Sequence, residues 1–178
     1  MTDQFPQATE SEKAILGRIL SEGGRYLNAV RPNLKPEWLF KPAHRALLDL
    51  CERINASTEY WDAQTVIAKA IDSGTLDALG GAADILALLD CGPFLDDHTD
   101  FHLALVAAKW RQRETLKAAA SLQSACLGDA DDFPGELERF QNAISGLSVA
   151  AGGRDLLRRG SDIVPAIMDE FAASYAAR

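Results

Sequence analysis

Two histidines one helical turn apart, His98 and His102, are the residues whose spacing comes nearest to holding a metal ion. The segment between them reads Thr-Asp-Phe, so the glutamate of the H-E-x-x-H zinc pattern is missing and no third ligand stands in register. A surface or helix-pairing role fits them better. Two acidic runs, Asp96-Asp97 with Asp100 and Asp129 with Asp131-Asp132, have the charge to attract a cation. In the second, Phe133 falls on a ligand position of the EF-hand loop and Pro134 on its glycine, which leaves helix capping and a solvated loop as the better readings. Lys109, Arg113 and Lys117 recur at four-residue steps on one helix face. That face could meet nucleic acid or an acidic partner, but a solvated face or a contact between subunits needs no ligand and is preferred. His44-Arg45 has no nucleophile pattern beside it and reads as a hydrogen-bonding pair at a helix start. No G-x-x-x-x-G-K-[ST] run occurs, so no phosphate-binding loop is available for nucleotide hydrolysis. The expectation is a chain with no catalytic, cofactor or metal site.

With 178 residues the chain can bury one sizeable core plus an appendage, but not two large domains. Alanine and leucine dominate, β-branched residues are sparse and apolar positions recur at three and four residues, which predicts an all-α fold. Cys51, Cys91 and Cys126 are widely spaced and odd in number, a pattern of a reducing compartment rather than a disulfide framework, and each is expected to be a small core residue. The polar, acidic N-terminus is unlike a signal peptide, and a cytoplasmic location is expected. The formal net charge of -8 argues against tight DNA binding by this chain alone, because a phosphate-gripping surface carries excess Lys and Arg.

The elements that position these residues follow from caps and stripes. Thr9 and Glu12 stand in capping-box spacing ahead of Ala14, Ile15, Leu16, Ile19 and Leu20, a helix that Gly23-Gly24 ends. A short helix bearing Tyr26, Leu27 and Val30 follows, then Pro32 and Pro36 break the chain around an apolar knot of Trp38, Leu39 and Phe40. Pro42 starts a helix with Leu47, Leu48, Cys51 and Ile54 on one side. Asp62 is placed to cap another, bearing Val66, Ile67, Ala70 and Ile71 and ended by Gly74. Gly80-Gly81 turns into a short apolar helix, and Cys91-Gly92-Pro93 closes this globular part, residues 1–96.

Residues 97–150 read as a helical hairpin. Its first helix, capped by Asp96 or Asp97, runs past Phe101, Leu105, Trp110 and Leu116 towards Leu122; the acidic loop 128–133 breaks it, and Pro134 opens a return with Leu137, Phe140, Ile144 and Leu147 as a narrow seam. Two helices alone bury little, so part of this surface, with Phe101, Leu105 and Trp110, is expected to pair with another subunit. Gly152, Gly153 and Gly160 make residues 151–160 a flexible linker, and a last helix carries Ile163, Val164, Ile167, Met168, Phe171 and Tyr175 on one face. Detached from the core, that face is expected to dock on another chain or domain.

Taken in order, Pro6, the ESEKAILG run Glu10–Gly17, the FKPAHR stretch Phe40–Arg45, Asp62 with Thr65, Leu79-Gly80-Gly81 followed by Leu86 and Leu89, and Arg113 resemble one family, the N-terminal domain of DnaB-type replicative DNA helicases. The similarity runs from about Pro6 to Tyr175, with 151–178 standing where that family has its linker helix. It implies a scaffold rather than an enzyme: N-terminal domains pair through their hairpins into a dimer, or a hexameric trimer-of-dimers collar, that binds primase and helicase loader. The linker helix would dock on the RecA-like motor domain of a neighbouring subunit, and DNA would be met only through the full-length ring. ATP and Mg2+ belong to that motor, whose phosphate-binding loop these residues lack, so the chain is expected to be an excised fragment or a natural stand-alone relative. The alternative reading is a stand-alone adaptor that binds a helicase and regulates its assembly. An independent nucleic-acid-binding module is a third.

Overall fold

In a computed structural model, residues 5–58, 60–92, 97–128 and 133–150 are described, without the side chains of 97 and 148–150. Among the described residues every regular element is helical. The order is α1 (Thr9–Glu22), α2 (Gly24–Val30), 3₁₀ turns at Arg31–Asn33 and Pro36–Trp38, α3 (Pro42–Ser57), α4 (Ala63–Asp72), a 3₁₀ turn at Leu76–Leu79, α5 (Gly81–Leu89), α6 (Asp97–Leu127) and α7 (Phe133–Ala150). The chain divides into two compact units, Met1–Arg113 and Glu114–Arg178, and the division falls inside α6.

The first unit is built around α1. Ile15, Leu16, Ile19 and Leu20 are fully buried on its inner side, and the stripes of α3 (Leu47, Leu48, Cys51, Ile54) and α4 (Val66, Ile67, Ala70) close over them. Burial of each large aliphatic side chain is worth about 1.5–3 kcal/mol. α5 contributes Ile85 and Leu88 to this core, while Leu86 is exposed and Leu89 only partly covered. Where α5 crosses α1 the backbones approach so closely that a Cβ on Gly17 would run into the Leu88 carbonyl oxygen. Gly80 and Gly81, at φ 90° and 88°, make the left-handed turn into α5 that a side chain would resist. The first turns of α6 belong to this unit too, burying Thr99, Leu103, Val106 and Arg113.

Local chemistry explains most boundaries. The Asp62 carboxylate accepts from the Thr65 amide at 2.9 Å and from its hydroxyl at 2.8 Å, the cap its position predicts for α4. Pro42 occupies the first position of α3, where its missing N–H costs nothing. The capping box expected of Thr9 and Glu12 does not form. Ala8 precedes the first turn of α1, the Thr9 hydroxyl turns back to Gln7 Oε1 at 3.2 Å, and Glu12 faces the core. Its carboxylate reaches stronger partners there than the local amide offers.

Three further expectations are corrected. Only Cys51 is a core cysteine; Cys91 and Cys126 are exposed, since they sit at the end of α5 and near the end of α6 rather than on an inner stripe. Ile71 is exposed because α4 turns Ile67 and Ala70 inward instead. Arg113 does not share a solvated face with Lys109 and Lys117 but is 5% exposed. In the second unit, Glu114 pairs with Lys117 at 2.7 Å and Glu136 with Arg139. Asp96, most of the acidic loop and the whole stretch 151–178 lie outside the described residues, including the expected linker and its face Ile163, Val164, Ile167, Met168, Phe171 and Tyr175.

Candidate functional site

The residues singled out by motif come together in the first unit as one hydrogen-bonded latch. α3 begins without a local side-chain cap, leaving amide donors at its positive end. The Glu12 carboxylate arrives from α1 at that end and meets the amides just before the helix and the His44 ring. Oε1 accepts from the Phe40 amide at 2.5 Å, while Oε2 lies 2.7 Å from His44 Nδ1 and 3.5 Å from the Lys41 amide. Glu12 is 1% exposed and His44 is also buried. A carboxylate can only accept, so Nδ1 of the imidazole is the donor. Such a pair is tolerable in an apolar interior because the charge is met by several N–H groups at once.

Arg45 and Arg113 secure the same segment through its carbonyls. Arg45 Nε donates to the Leu39 carbonyl at 2.6 Å and a terminal nitrogen to that of Phe40 at 3.4 Å. Arg113 Nη2 donates to the Trp38 carbonyl at 2.6 Å and Nη1 to that of Pro6 at 2.9 Å, with its guanidinium 5.5 Å from the Phe40 ring centroid. Trp38 and Trp110 stack with centroids 5.4 Å apart. The N-terminal arm, the Trp38–Phe40 knot, α3 and α6 thus meet at one place, and the five N–H groups of arginine suit such a cluster of carbonyls.

A second set of ties runs along the start of α6. Arg18 donates to Thr99 Oγ1 at 2.7 Å, lies 2.5 Å from Glu22 and stands 4.5 Å from the Tyr26 ring centroid, while the Tyr26 hydroxyl donates to Thr99 at 3.2 Å. Burial holds the Tyr26 phenol above its ordinary range. His102 Nδ1 is 3.0 Å from Ser11 Oγ; burial, with a smaller contribution from His98, pushes its imidazole below the usual histidine range. Among the described residues no group of three His, Cys, Asp or Glu side chains could hold a metal. The arrangement positions helices, and its one serine–histidine contact, Ser11 with His102, is a part-buried tie between α1 and α6.

The residues expected at the hairpin interface fall into two groups. Leu105 and Trp110 are half-buried against the core of the first unit and Arg113 is engaged in the latch, whereas Phe101 is 64% exposed. In the second unit Leu116, Leu127, Phe133 and Leu137 are 49%, 82%, 42% and 37% exposed, and Phe140, Ile144 and Leu147 are half-buried. The sequence reading missed the role of Glu12, although its register is a signal. It stands three and four residues before Ile15 and Leu16, on the stripe α1 buries. Thr99 and Ser11 carried no comparable signal, being small polar residues whose partners lie far away in sequence.

The model of the DnaB-like helicase N-terminal domain family matches residues 4–108. Among solved structures the chain is similar to the crystal structure of the N-terminal domain of DnaB helicase from Mycobacterium tuberculosis. That likeness has a TM-score of 0.70 and 25% sequence identity, and it covers 80% of this chain and 99% of that one. No curated protein sequence matches the chain.

Proposed function

This chain belongs to the DnaB-like helicase N-terminal domain family, and from that premise we propose that it is the assembly and recruitment scaffold of a replicative DNA helicase. Its helices α6 and α7 pair with those of other copies to build a dimer and then a hexameric collar. Primase or a helicase loader docks on that collar, and residues 151–178 carry the docking face for a neighbouring motor domain. ATP-driven unwinding belongs to that motor. The observation that carries the reading is the row of large apolar side chains left open on the second unit: Leu116, Leu127, Phe133 and Leu137. Four such side chains exposed on the successive helices α6 and α7 are more than chance scatter needs and suit a protein–protein contact.

Light scattering over a concentration series, on the full chain and on a version ending at Ala151, tests the proposal. Dimers or hexamers that persist without the tail and are lost in Leu116→Lys/Leu137→Lys support it. A monomer in every case would remove it and favour a helicase-binding adaptor.

A further inference from the structure

In the first unit, between α1, α3 and α5, lies a pocket of about 300 Å³. Its floor is apolar, made by the buried side chains of Leu47, Leu79 and Leu88, and its size, at the lower end of the range for ligand pockets, suits one large side chain. Its rim is cationic. Lys13 and Lys41 border it, and so does His44, whose Nδ1 is occupied by Glu12, leaving Nε2 as the ring nitrogen for a ligand. Two acidic groups oppose them. Asp84 lines the wall but is turned back against Gly80 at the start of α5, and Glu10 pairs with Lys13 at 2.8 Å from a side chain 83% exposed. An ion pair that open to water is worth little and can yield its lysine to another carboxylate. Two ammonium groups over an apolar floor are an unusual local surface on a chain of net charge -8. The pocket shares no residue with the exposed apolar row of α6 and α7.

We propose that this pocket is a docking site for an acidic peptide segment of a partner protein, which seats one apolar side chain on Leu47, Leu79 and Leu88 and sets a flanking carboxylate between Lys13 and Lys41. The apolar side chain supplies burial, and the lysines select the charge of its neighbours and make capture dependent on ionic strength. The assignment stands on the pocket and is independent of whether α6 and α7 assemble.

Cys91, exposed on the pocket wall, provides the readout. In the full chain carrying Cys126→Ser, iodoacetamide should modify Cys91 alone, because burial pushes the Cys51 thiol up to about 12. The probes are the peptide Glu-Asp-Leu-Phe-Asp-Glu and its neutral counterpart Gln-Asn-Leu-Phe-Asn-Gln. The acidic peptide should slow alkylation saturably, the neutral one should need roughly tenfold more, and Lys13→Glu/Lys41→Glu should weaken the acidic peptide by at least about tenfold. Ala87→Phe, on the exposed wall, should block both peptides while leaving the charges in place. Unfolding curves of each variant separate loss of the pocket from loss of the fold. Equal protection by both peptides, protection that survives the charge reversal, or none at about 1 mM acidic peptide would overturn the proposal. So would protection that rises with the concentration of the chain itself, which would give the pocket to a second copy.

Discussion

Replacing Glu12 by glutamine removes one charge and almost no volume, so it isolates the electrostatic part of the latch. In the parent chain the carboxylate, 1% exposed, takes the Phe40 amide at 2.5 Å and the His44 ring at 2.7 Å, with the Lys41 amide more distant at 3.5 Å. A glutamine oxygen can keep the Phe40 amide, but its NH2 then faces His44 Nδ1, which can accept only by moving its proton to Nε2. Hydrogen bonds to a charged group are worth about 1.5–3 kcal/mol each, and removing the charge weakens both of the short ones that Glu12 makes. The weak Lys41 contact adds little, so the expected loss is about 3 kcal/mol. That is a large share of the roughly 5–15 kcal/mol that holds a domain together, and corresponds to a fall in Tm of about 10 °C. Urea unfolding followed by helical circular dichroism measures it, with the denaturant slope confirming an unchanged unfolding unit. His44→Ala and the double variant complete a cycle, whose coupling should be at least about 1 kcal/mol because the two groups are in direct contact. A Glu12→Gln variant within about 0.5 kcal/mol of the parent, or single losses that simply add, would refute the latch.

Gly17→Ala should destabilise by about 2 kcal/mol despite the roughly 1 kcal/mol that alanine gains over glycine in a helix, because its methyl meets the backbone of Leu88, which cannot rotate away; thermal unfolding decides, and an unchanged or raised Tm would mean that α1 and α5 do not cross at Gly17. His102 makes stability depend on pH. Its folded-state imidazole titrates below the ordinary histidine value of 6.5, so the unfolded chain takes up the proton more readily, and the contribution is complete above 6.5 and lost as pH falls through the folded-state value. Urea midpoints should therefore decline below about pH 6.5 more steeply in the parent than in His102→Gln, and identical profiles would remove His102 as the cause.

The helices and most of their bounds were legible because they depend on local chemistry. Asp62 caps, Pro42 starts and Gly80-Gly81 turns as their residue types require. His44-Arg45 was readable as a helix-start pair for the same reason, although its partners were not: His44 answers to Glu12 and Arg45 to carbonyls on the knot before it. What failed was choosing between a local and a distant partner for one side chain. Glu12 fits a capping box by spacing, yet it gains more from the imidazole supplied by α3 and the Phe40 amide just before that helix. Arg113 fits a lysine-arginine face by spacing, yet the carbonyls of Pro6 and Trp38 hold it. In both cases the deciding partner comes from far along the chain, and burial raises the value of satisfying a charge beyond anything local. The exposed cysteines were misjudged on composition alone, since cysteine is often buried.

The residues by which the family resemblance is recognised are thus mainly residues that hold the first unit together. Pro6, Glu12, Gly17, Phe40, His44, Arg45 and Arg113 all act inside it, through carbonyls, amides or a close helix crossing. A variant at one of them that lost a partner would report first on folding, since a few kcal/mol there is comparable with the whole stability of the unit. The surfaces proposed to meet a partner are made of residues outside that latch: the side chains of Leu116, Leu127, Phe133 and Leu137 on the second unit, and of Lys13 and Lys41 on the first. Changes at exposed positions of this kind usually move stability by no more than about 0.5 kcal/mol. Lys13 and Lys41 lie inside the same stretches by which the family is recognised, so one stretch carries both side chains that hold the fold and side chains that can be altered while the fold is held constant.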